Sequence, residues 1–202
     1  MSTELEPRPP AERRERPYRL SVRQYMKMIE AGVFADDLRV ELLGGRLFPI
    51  MTKYPPHNFA VMFLGQTFNR LLAPDWYARE EKSIVLVGSS RPEPDLAVVR
   101  GPVERYRDRD PRSSDLGLLV EVSEGSYSRD RGMKWRKYAA AGVPTYWIVN
   151  LAKKRIEVYA SPAGRGHAPA YRETSTFGPD DEVPIVLEGR ERGRVPVRDV
   201  IG

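Results

Sequence analysis

Apolar residues recur at helical spacing in three segments of the chain. The first follows Ser21, a good N-cap residue, in the segment SVRQYMKMIEAG. The second covers residues 57–72, where apolar side chains fall on one helical stripe. The third covers residues 129–141 and ends at Gly142, with a proline shortly beyond it. The pattern therefore predicts three helices.

Short apolar runs between these helices predict strands. RVELLGGRLFPI contains the pair Gly44-Gly45, which is typical of a hairpin turn because both turn residues can take positive φ. The run LGLLVEVSE is apolar enough for a central strand. Further strands are predicted in WYARE, KSIVLVG, PDLAVVR, TYWIVN, RIEVYA, YRETSTF and EVPIVLEG. The order of the elements indicates an α/β fold in which helices flank a central mixed sheet.

Residues 1–17 are charged, rich in proline and nearly free of aliphatic side chains, so they cannot offset the entropy that ordering costs. We predict a flexible tail there and a single domain over residues 18–202. Every apolar run falls short of the roughly 20 residues that a membrane helix needs. The tail also lacks the apolar core of a secretory signal. We therefore expect a cytoplasmic protein that does not bind a membrane.

Composition narrows the possible chemistry. The chain has no cysteine and only two histidines, which excludes disulfides, thiolate zinc sites and cysteine nucleophiles and leaves Asp, Glu and Lys for catalysis. A net charge of +5 and a pI near 9.5 fit a polyanionic partner such as nucleic acid. So small a surplus is also explained by solubility alone. Lysine is scarce, with 7 Lys against 26 Arg, so a lysine beside candidate acids is noticeable.

Two carboxylates interrupt the apolar strands. Asp95 follows Pro94 at the start of LAVV, and Glu121 lies in the middle of LGLLVEVS. A carboxylate on an apolar strand is costly to desolvate unless it is paired or binds a cation. Three interpretations of Glu121 are therefore open: an edge-strand residue that reaches solvent, the partner of a buried arginine, or a metal ligand.

The helix that follows adds Asp130, Lys134 and Tyr138 at a spacing of four, which places them on one stripe. Taken alone, Asp130 and Lys134 are explained by a surface ion pair. Together with the two strand carboxylates they fit a Mg²⁺ or Mn²⁺ site, because these cations prefer oxygen ligands. Such an ion would polarise a phosphodiester and help to generate hydroxide, while Lys134 orients the nucleophile or neutralises charge on the phosphate.

Three stretches of the chain resemble one known family. They are PDLAVV at 94–99, LLVEVSEGSYSRDRGMKWRKYAAAGVPTYWIVN at 118–150, and VELLGGRL at 40–47, which is followed by a helix beginning near His57. These stretches resemble the Uma-two family of restriction-endonuclease-like proteins, within the PD-(D/E)XK nuclease superfamily. The resemblance spans about residues 20–160. It implies a restriction-endonuclease-like core, in which a mixed sheet carries helices on both sides.

The resemblance also implies the metal site. Asp95 and Glu121 would bind the divalent cation, with the backbone carbonyl of Val122 as a further ligand. The usual superfamily pattern has a lysine two residues after the glutamate, where this chain has Ser123. In this family the lysine corresponds to Lys134 on the next helix.

Other candidate residues surround this expected centre. Asp130 would orient Lys134. Glu41 and His57 are family-like positions at the edge of the cleft, as a second metal-linked acid and a contact to phosphate or water. Glu80 is a further candidate acid, with a surface position on a strand as the alternative.

We therefore expect a Mg²⁺- or Mn²⁺-dependent endonuclease that hydrolyses double-stranded DNA as a homodimer, because two-fold DNA geometry pairs with two active sites. The alternative is a catalytically silent nucleic-acid-binding or interaction domain that retains the fold. A metal-free structural domain is a third hypothesis, and it requires Glu121 to pair with an arginine such as Arg129 or Arg136. The arginine-rich connection at residues 100–112 either lines a phosphate groove or forms a solvated loop balanced by its own acids.

Overall fold

A computed structural model describes residues 17–35, 38–164 and 168–202. The tail predicted at residues 1–17 lies outside these ranges except for Pro17. Within the described ranges, no helix is both long and apolar enough to span a membrane.

The helices and strands alternate along the chain much as the hydrophobic pattern predicts. Two short 3₁₀ helices lie at Val103–Tyr106 and Ser113–Asp115. The elements in chain order are α1 (Val22–Glu30), β1 (Val40–Leu43), β2 (Arg46–Pro49), α2 (Pro55–Leu72), β3 (Trp76–Glu80), β4 (Leu96–Arg100), β5 (Leu116–Ser123), α3 (Tyr127–Arg129), a π-helical turn (Asp130–Lys134), α4 (Trp135–Ala140), β6 (Thr145–Asn150), β7 (Arg155–Ala163), β8 (Ala170–Phe177), β9 (Glu182–Leu187), β10 (Arg190–Pro196) and α5 (Val197–Ile201).

A six-stranded mixed sheet forms the centre of the fold, with its strands in the order β3-β4-β5-β6-β7-β8. β5 and β6 are parallel, and the other neighbours are antiparallel. Because parallel strands need a crossover connection, the chain leaves the sheet after β5, forms α3, the π-helical turn and α4, and returns as β6. The hairpins β1-β2 and β9-β10 form two separate small sheets.

Helices cover the sheet on both faces. On one face α2, α5 and the β9-β10 hairpin surround Phe68 and Trp147, whose rings meet edge to face at 5.6 Å. On the other face α4 inserts Tyr138, whose ring lies 5.0 Å from that of Tyr146. All residues of β5 are buried, as the continuous apolar run of a strand covered on both faces requires. The predicted α/β fold with a central mixed sheet flanked by helices is confirmed.

The prediction of a strand in KSIVLVG is wrong. Residues 82–88 make only isolated bridges, at Val85 and Leu86. The chain turns back at once through Gly88 and Ser89, whose φ values are 76° and 56°. Positive φ at two successive residues ends an extended strand.

The helix predicted over residues 129–141 begins earlier, at Tyr127, and it is not uniformly α-helical. A π-helical turn occupies Asp130–Lys134. Such a turn closes its hydrogen bonds over five residues instead of four and is common at functional sites. Residues spaced by four therefore do not share one line here, which changes the contacts expected for Asp130 and Lys134.

Candidate metal centre and active site

Asp95 lies directly before β4, which pairs with β5, and its buried carboxylate contacts three groups. Oδ2 accepts the Val122 N–H at 2.7 Å and lies 3.2 Å from Nε2 of His57. Oδ1 accepts a hydrogen bond from Nζ of Lys53 at 2.8 Å. Burial opposes ionisation, but His57 and Lys53 outweigh it and hold the pKa of Asp95 at about 2. Asp95 is therefore an ionised, fixed carboxylate.

Glu121 lies in the middle of β5 and is only 3% exposed. Tyr138 donates its hydroxyl hydrogen to Oε1 at 2.6 Å, and Nζ of Lys134 donates to Oε2 at 2.9 Å. The edge-strand interpretation is wrong because β5 is a central strand. The metal-free hypothesis requires Glu121 to pair with an arginine. This pairing is also wrong, because the partners of Glu121 are Lys134 and Tyr138.

Glu41 brings the β1-β2 hairpin into the same site. Its buried carboxylate places Oε1 3.4 Å from Nζ of Lys134 and accepts the Glu93 N–H on Oε2 at 3.2 Å. Arg129 lies 3.9 Å from Oε1 of Glu41. Lys134 thus bridges two buried acids, Glu121 and Glu41.

Asp130 has partners other than the one expected. Its Oδ2 accepts the hydroxyl hydrogens of Ser123, at 2.7 Å, and of Ser126. The surface ion pair that explains Asp130 and Lys134 when they are taken alone is wrong, because both residues are buried and Lys134 pairs with Glu121 and Glu41 instead. Asp130 therefore anchors the π-helical turn, which also carries Lys134, to the end of β5.

One cleft of about 290 Å³ collects the residues predicted for the site. Its acids outnumber its permanently charged cations, which are Lys53, Arg129 and Lys134. The lining of the cleft includes His57 and six further residues predicted for the site, which are Asp95, Glu121, Val122, Asp130, Lys134 and Glu41.

Burial and the surrounding charges shift the pKa values of Glu121 and Lys134, the buried pair in the cleft. Burial raises the pKa of Glu121 well above its usual value, and although Lys134 opposes this effect, Asp130 and Asp95 add to it. Burial alone would lower the pKa of Lys134, but Glu121, Glu41 and the other acids raise it instead. Lys134 therefore keeps its positive charge, and the cleft favours a further cation.

Sequence reasoning missed two residues of this site, Lys53 and Glu81. Lys53 lies between β2 and α2, and its Nζ bridges Asp95 Oδ1 at 2.8 Å and Glu81 Oε1 at 2.9 Å. Burial opposes the charge of Lys53, but the two acids outweigh it and raise its pKa. The scarcity of lysine, combined with the position of Lys53 just before the helix of His57, was the available signal.

Glu80, the acid suggested by the sequence, points elsewhere. It packs against α2, where a Cβ added to Gly65 would lie 2.0 Å from Oε1 of Glu80. The next residue, Glu81, has a φ of 52° and presents its carboxylate to Lys53. The acid that reaches the site therefore lies one residue after the predicted one.

The residues present fit a divalent cation. His57, Glu81 and Asp95 each offer a ligand atom, and these atoms lie within 4.8 Å of one another. Glu121 and Glu41 add further carboxylates to the cleft that His57 and Asp95 line. Carboxylate oxygens are the ligands that Mg²⁺ and Mn²⁺ prefer. Among the described residues the buried Nδ1 of His57 has no hydrogen-bond partner, so the imidazole retains an unused donor or acceptor.

Residues 22–196 match the model of the Uma2 family, which is described as "Putative restriction endonuclease". The match covers most of the chain. The chain belongs to the Uma2 family. The resemblance identified from the sequence is therefore confirmed. None of the curated proteins matches this Uma2 protein.

A solved structure has a similar fold. It is the crystal structure of a "putative nuclease belonging to DUF820" from Anabaena variabilis, with 15% sequence identity and a TM-score of 0.68. The similarity covers 90% of this Uma2 chain and 97% of that chain. The likeness shows a shared fold. Family and fold together support a nuclease.

Proposed function

We propose that the protein is a divalent-metal-dependent endonuclease that hydrolyses phosphodiester bonds in double-stranded DNA. One observation carries the proposal: a single cleft contains Asp95, Glu121 and Lys134, with Nζ of Lys134 2.9 Å from Glu121. A lysine on the crossover helix thus reaches the glutamate that the superfamily pattern pairs with a lysine two residues later in sequence.

The proposed chemistry divides among these side chains. Asp95 and Glu121, with the carbonyl of Val122, would hold Mg²⁺ or Mn²⁺, which supplies a Lewis acid and a more acidic bound water. The Lys134 ammonium would orient that water and neutralise charge that develops on the phosphate. Tyr138 holds Glu121 in place through its hydroxyl. Each group is already oriented by a hydrogen bond, which reduces the reorganisation needed during the reaction.

Two acids would act as positioning residues. Glu41 contacts Lys134 from the β1-β2 hairpin and would keep the ammonium over Glu121. Asp130 would keep the π-helical turn attached to Ser123 and Ser126, and so maintain the place of Lys134.

The arginine-rich connection contributes less to substrate binding than its charge suggests. Arg105 and Arg109 contact Asp115, and Arg100 pairs with Glu188. These ion pairs favour the interpretation of a solvated loop over a phosphate groove.

We also propose that the protein acts as a homodimer in the cytoplasm, because the two strands of a double-stranded substrate pair with two active sites. Light scattering would test the dimer, which requires twice the 23.0 kDa of one chain.

Cleavage of supercoiled plasmid tests the proposal. We expect the wild-type chain to nick it with Mg²⁺ or Mn²⁺ and not with EDTA. Asp95→Ala and Lys134→Ala should lower the rate by at least about 100-fold, because a ligand and a charge-stabilising group are lost. Lys82→Ala, at an exposed lysine outside the cleft, is the matched control and should nick normally.

Two outcomes would contradict the proposal. Nicking that survives in Asp95→Ala would show that the cleft is not the active site. No nicking of plasmid by folded wild-type protein with either metal, together with retained DNA binding, would favour the catalytically silent nucleic-acid-binding domain.

A further inference from the structure

The two proposed metal-binding acids have matching surroundings. Lys134 bridges Glu121 and a second acid, Glu41, at 2.9 and 3.4 Å. In the same way Lys53 bridges Asp95 and a second acid, Glu81, at 2.8 and 2.9 Å. Each of the two ammonium groups is therefore shared by two carboxylates, which leaves one negative charge of each pair without a counter-charge.

We infer that Lys53 is an internal counter-ion that a divalent cation must displace from Asp95, and that Glu81 retains the displaced ammonium. The inference rests on the proposed role of Asp95 as a metal ligand. It deepens that proposal by identifying what controls loading of the site.

Direct competition for one oxygen supports this inference. Lys53 donates to Oδ1 of Asp95, while Oδ2 is already engaged by the Val122 N–H and faces His57. A Mg²⁺ ion binds a carboxylate oxygen at about 2.0–2.1 Å. An ammonium at 2.8 Å from the same oxygen would then lie close to a doubly charged cation. The repulsion between two positive charges drives Lys53 away.

Lys53 is better able to move than Lys134. Its side chain is 17% exposed and extends from the connection between β2 and α2. The Lys134 side chain is 7% exposed and extends from the helical crossover. Glu81, the second partner of Lys53, is 31% exposed at its side chain, so the displaced ammonium has a path toward water.

Glu81 remains beside Asp95 whether or not Lys53 occupies the space between them. The Glu81 N–H donates to the backbone carbonyl of Asp95 at 3.0 Å, at the end of the β3-β4 pairing. The backbone thus keeps the second acceptor in place. Lys53 can therefore leave Asp95 and keep its existing ion pair with Glu81.

Titration of the protein alone with Mn²⁺ by isothermal calorimetry tests the inference without measuring cleavage. Lys53→Met should bind Mn²⁺ about tenfold more tightly than wild type or better, because the competing charged hydrogen bond is absent. Lys82→Met removes the same charge one residue from Glu81, at an exposed position, and should stay within about twofold of wild type. Equal or weaker binding by folded Lys53→Met would overturn the inference.

A second measurement follows the Lys53 ammonium directly, and only the wild-type protein has to bind metal. In wild-type protein labelled with ¹⁵N-lysine, Mg²⁺ should shift the Nζ resonance of Lys53, which is assigned by its loss in Lys53→Met. The resonance of Lys82 should stay unchanged. A Lys53 resonance that does not move at saturating Mg²⁺ would show that the ammonium stays on Asp95 and would overturn the inference.

Asp95→Ala separates this inference from the proposed function. If Asp95→Ala loses Mn²⁺ binding and Lys53→Met does not bind more tightly, the proposed metal site stands and only the role of Lys53 is rejected. Unchanged binding in Asp95→Ala would reject the metal site itself, and the inference with it.

Discussion

At the scale of single residues, the hydroxyl of Tyr138 is what distinguishes it from a purely hydrophobic core residue. Its ring packs against Tyr146 in the core, and its hydroxyl donates to Oε1 of Glu121 at 2.6 Å. Lys134 donates to the other oxygen of the same carboxylate. Glu121 is therefore held at both oxygens, which fixes the direction in which it can bind a cation.

Tyr138→Phe removes this hydroxyl and leaves the ring. We predict plasmid nicking about 10–100-fold slower than wild type, the usual effect of losing a group that orients a metal ligand. Tyr171→Phe is the matched control, since Tyr171 is also a buried tyrosine and its hydroxyl has no partner among the described residues. A Tyr138→Phe protein that nicks as fast as Tyr171→Phe would contradict the role of the hydroxyl.

At the scale of elements, Gly117 allows β5 to pack closely against its neighbours. A Cβ at Gly117 would lie 2.7 Å from Cδ2 of Leu187 on β9 and 2.8 Å from Cζ3 of Trp76 on β3. Both neighbours are buried side chains with little room to shift. The approach of the β9-β10 hairpin to the main sheet thus depends on the absence of a side chain at this position.

Gly117→Ala should lower the free energy of unfolding by about 1–3 kcal/mol, because overpacking forces neighbouring side chains out of place. Gly125→Ala should change it by less than about 0.5 kcal/mol, since no described atom lies within 4 Å of a Cβ added there. Urea unfolding of both variants measures the difference. The same midpoint for both variants would show that the packing at β5 adapts freely.

The crossover helix shows how far an element can be predicted from its spacing. The stop at Gly142 and the position of Lys134 after β5 were predicted because capping and helical spacing are local properties. The π-helical turn was not, because it depends on where Ser123 at the end of β5 meets Asp130. That contact exists only after the strand and the helix have packed.

At the scale of the whole molecule, Glu157 joins the crossover helix to the sheet and links stability to pH. Its carboxylate accepts hydrogen bonds from Tyr127 at the start of α3 and from Tyr159 and Arg155 on β7. Burial opposes its ionisation, but Tyr159 and Arg155 outweigh this effect and lower the pKa of Glu157 below its usual value. The unfolded chain lacks these partners, so the ionised carboxylate stabilises the folded state.

We predict that this stabilisation is complete above the ordinary glutamate pKa of about 4.3 and is lost as the pH falls through the lower pKa of the folded state. Glu157→Gln should lower the free energy of unfolding by about 1–3 kcal/mol at neutral pH. As the pH falls into the acid range, the free energy of unfolding of this variant should decrease less than that of the wild type. Urea unfolding across this range provides the measurement. The control is Glu191→Gln, which breaks a half-exposed ion pair with Arg194 and should change stability by less than about 1 kcal/mol at any pH. Equal losses in both variants would argue against a special role for Glu157.

The sequence by itself determined the fold class, the family and most of the candidate site. Alternation along β4 and β5 and the spacing after Glu121 are local patterns, so they predicted the central strands, the acids Asp95 and Glu121 and the lysine at Lys134. The family match confirms the family, and one cleft brings Asp95, Glu121 and Lys134 together.

Only the tertiary structure decided which side chains meet. Lys53 and Asp95 are 42 residues apart in the chain, and Lys134 and Glu121 are 13 apart. No helical or strand period relates such positions. Their contacts arise because the β1-β2 hairpin, α2 and the crossover helix pack around the ends of β4 and β5, and that packing depends on the buried side chains of the whole sheet.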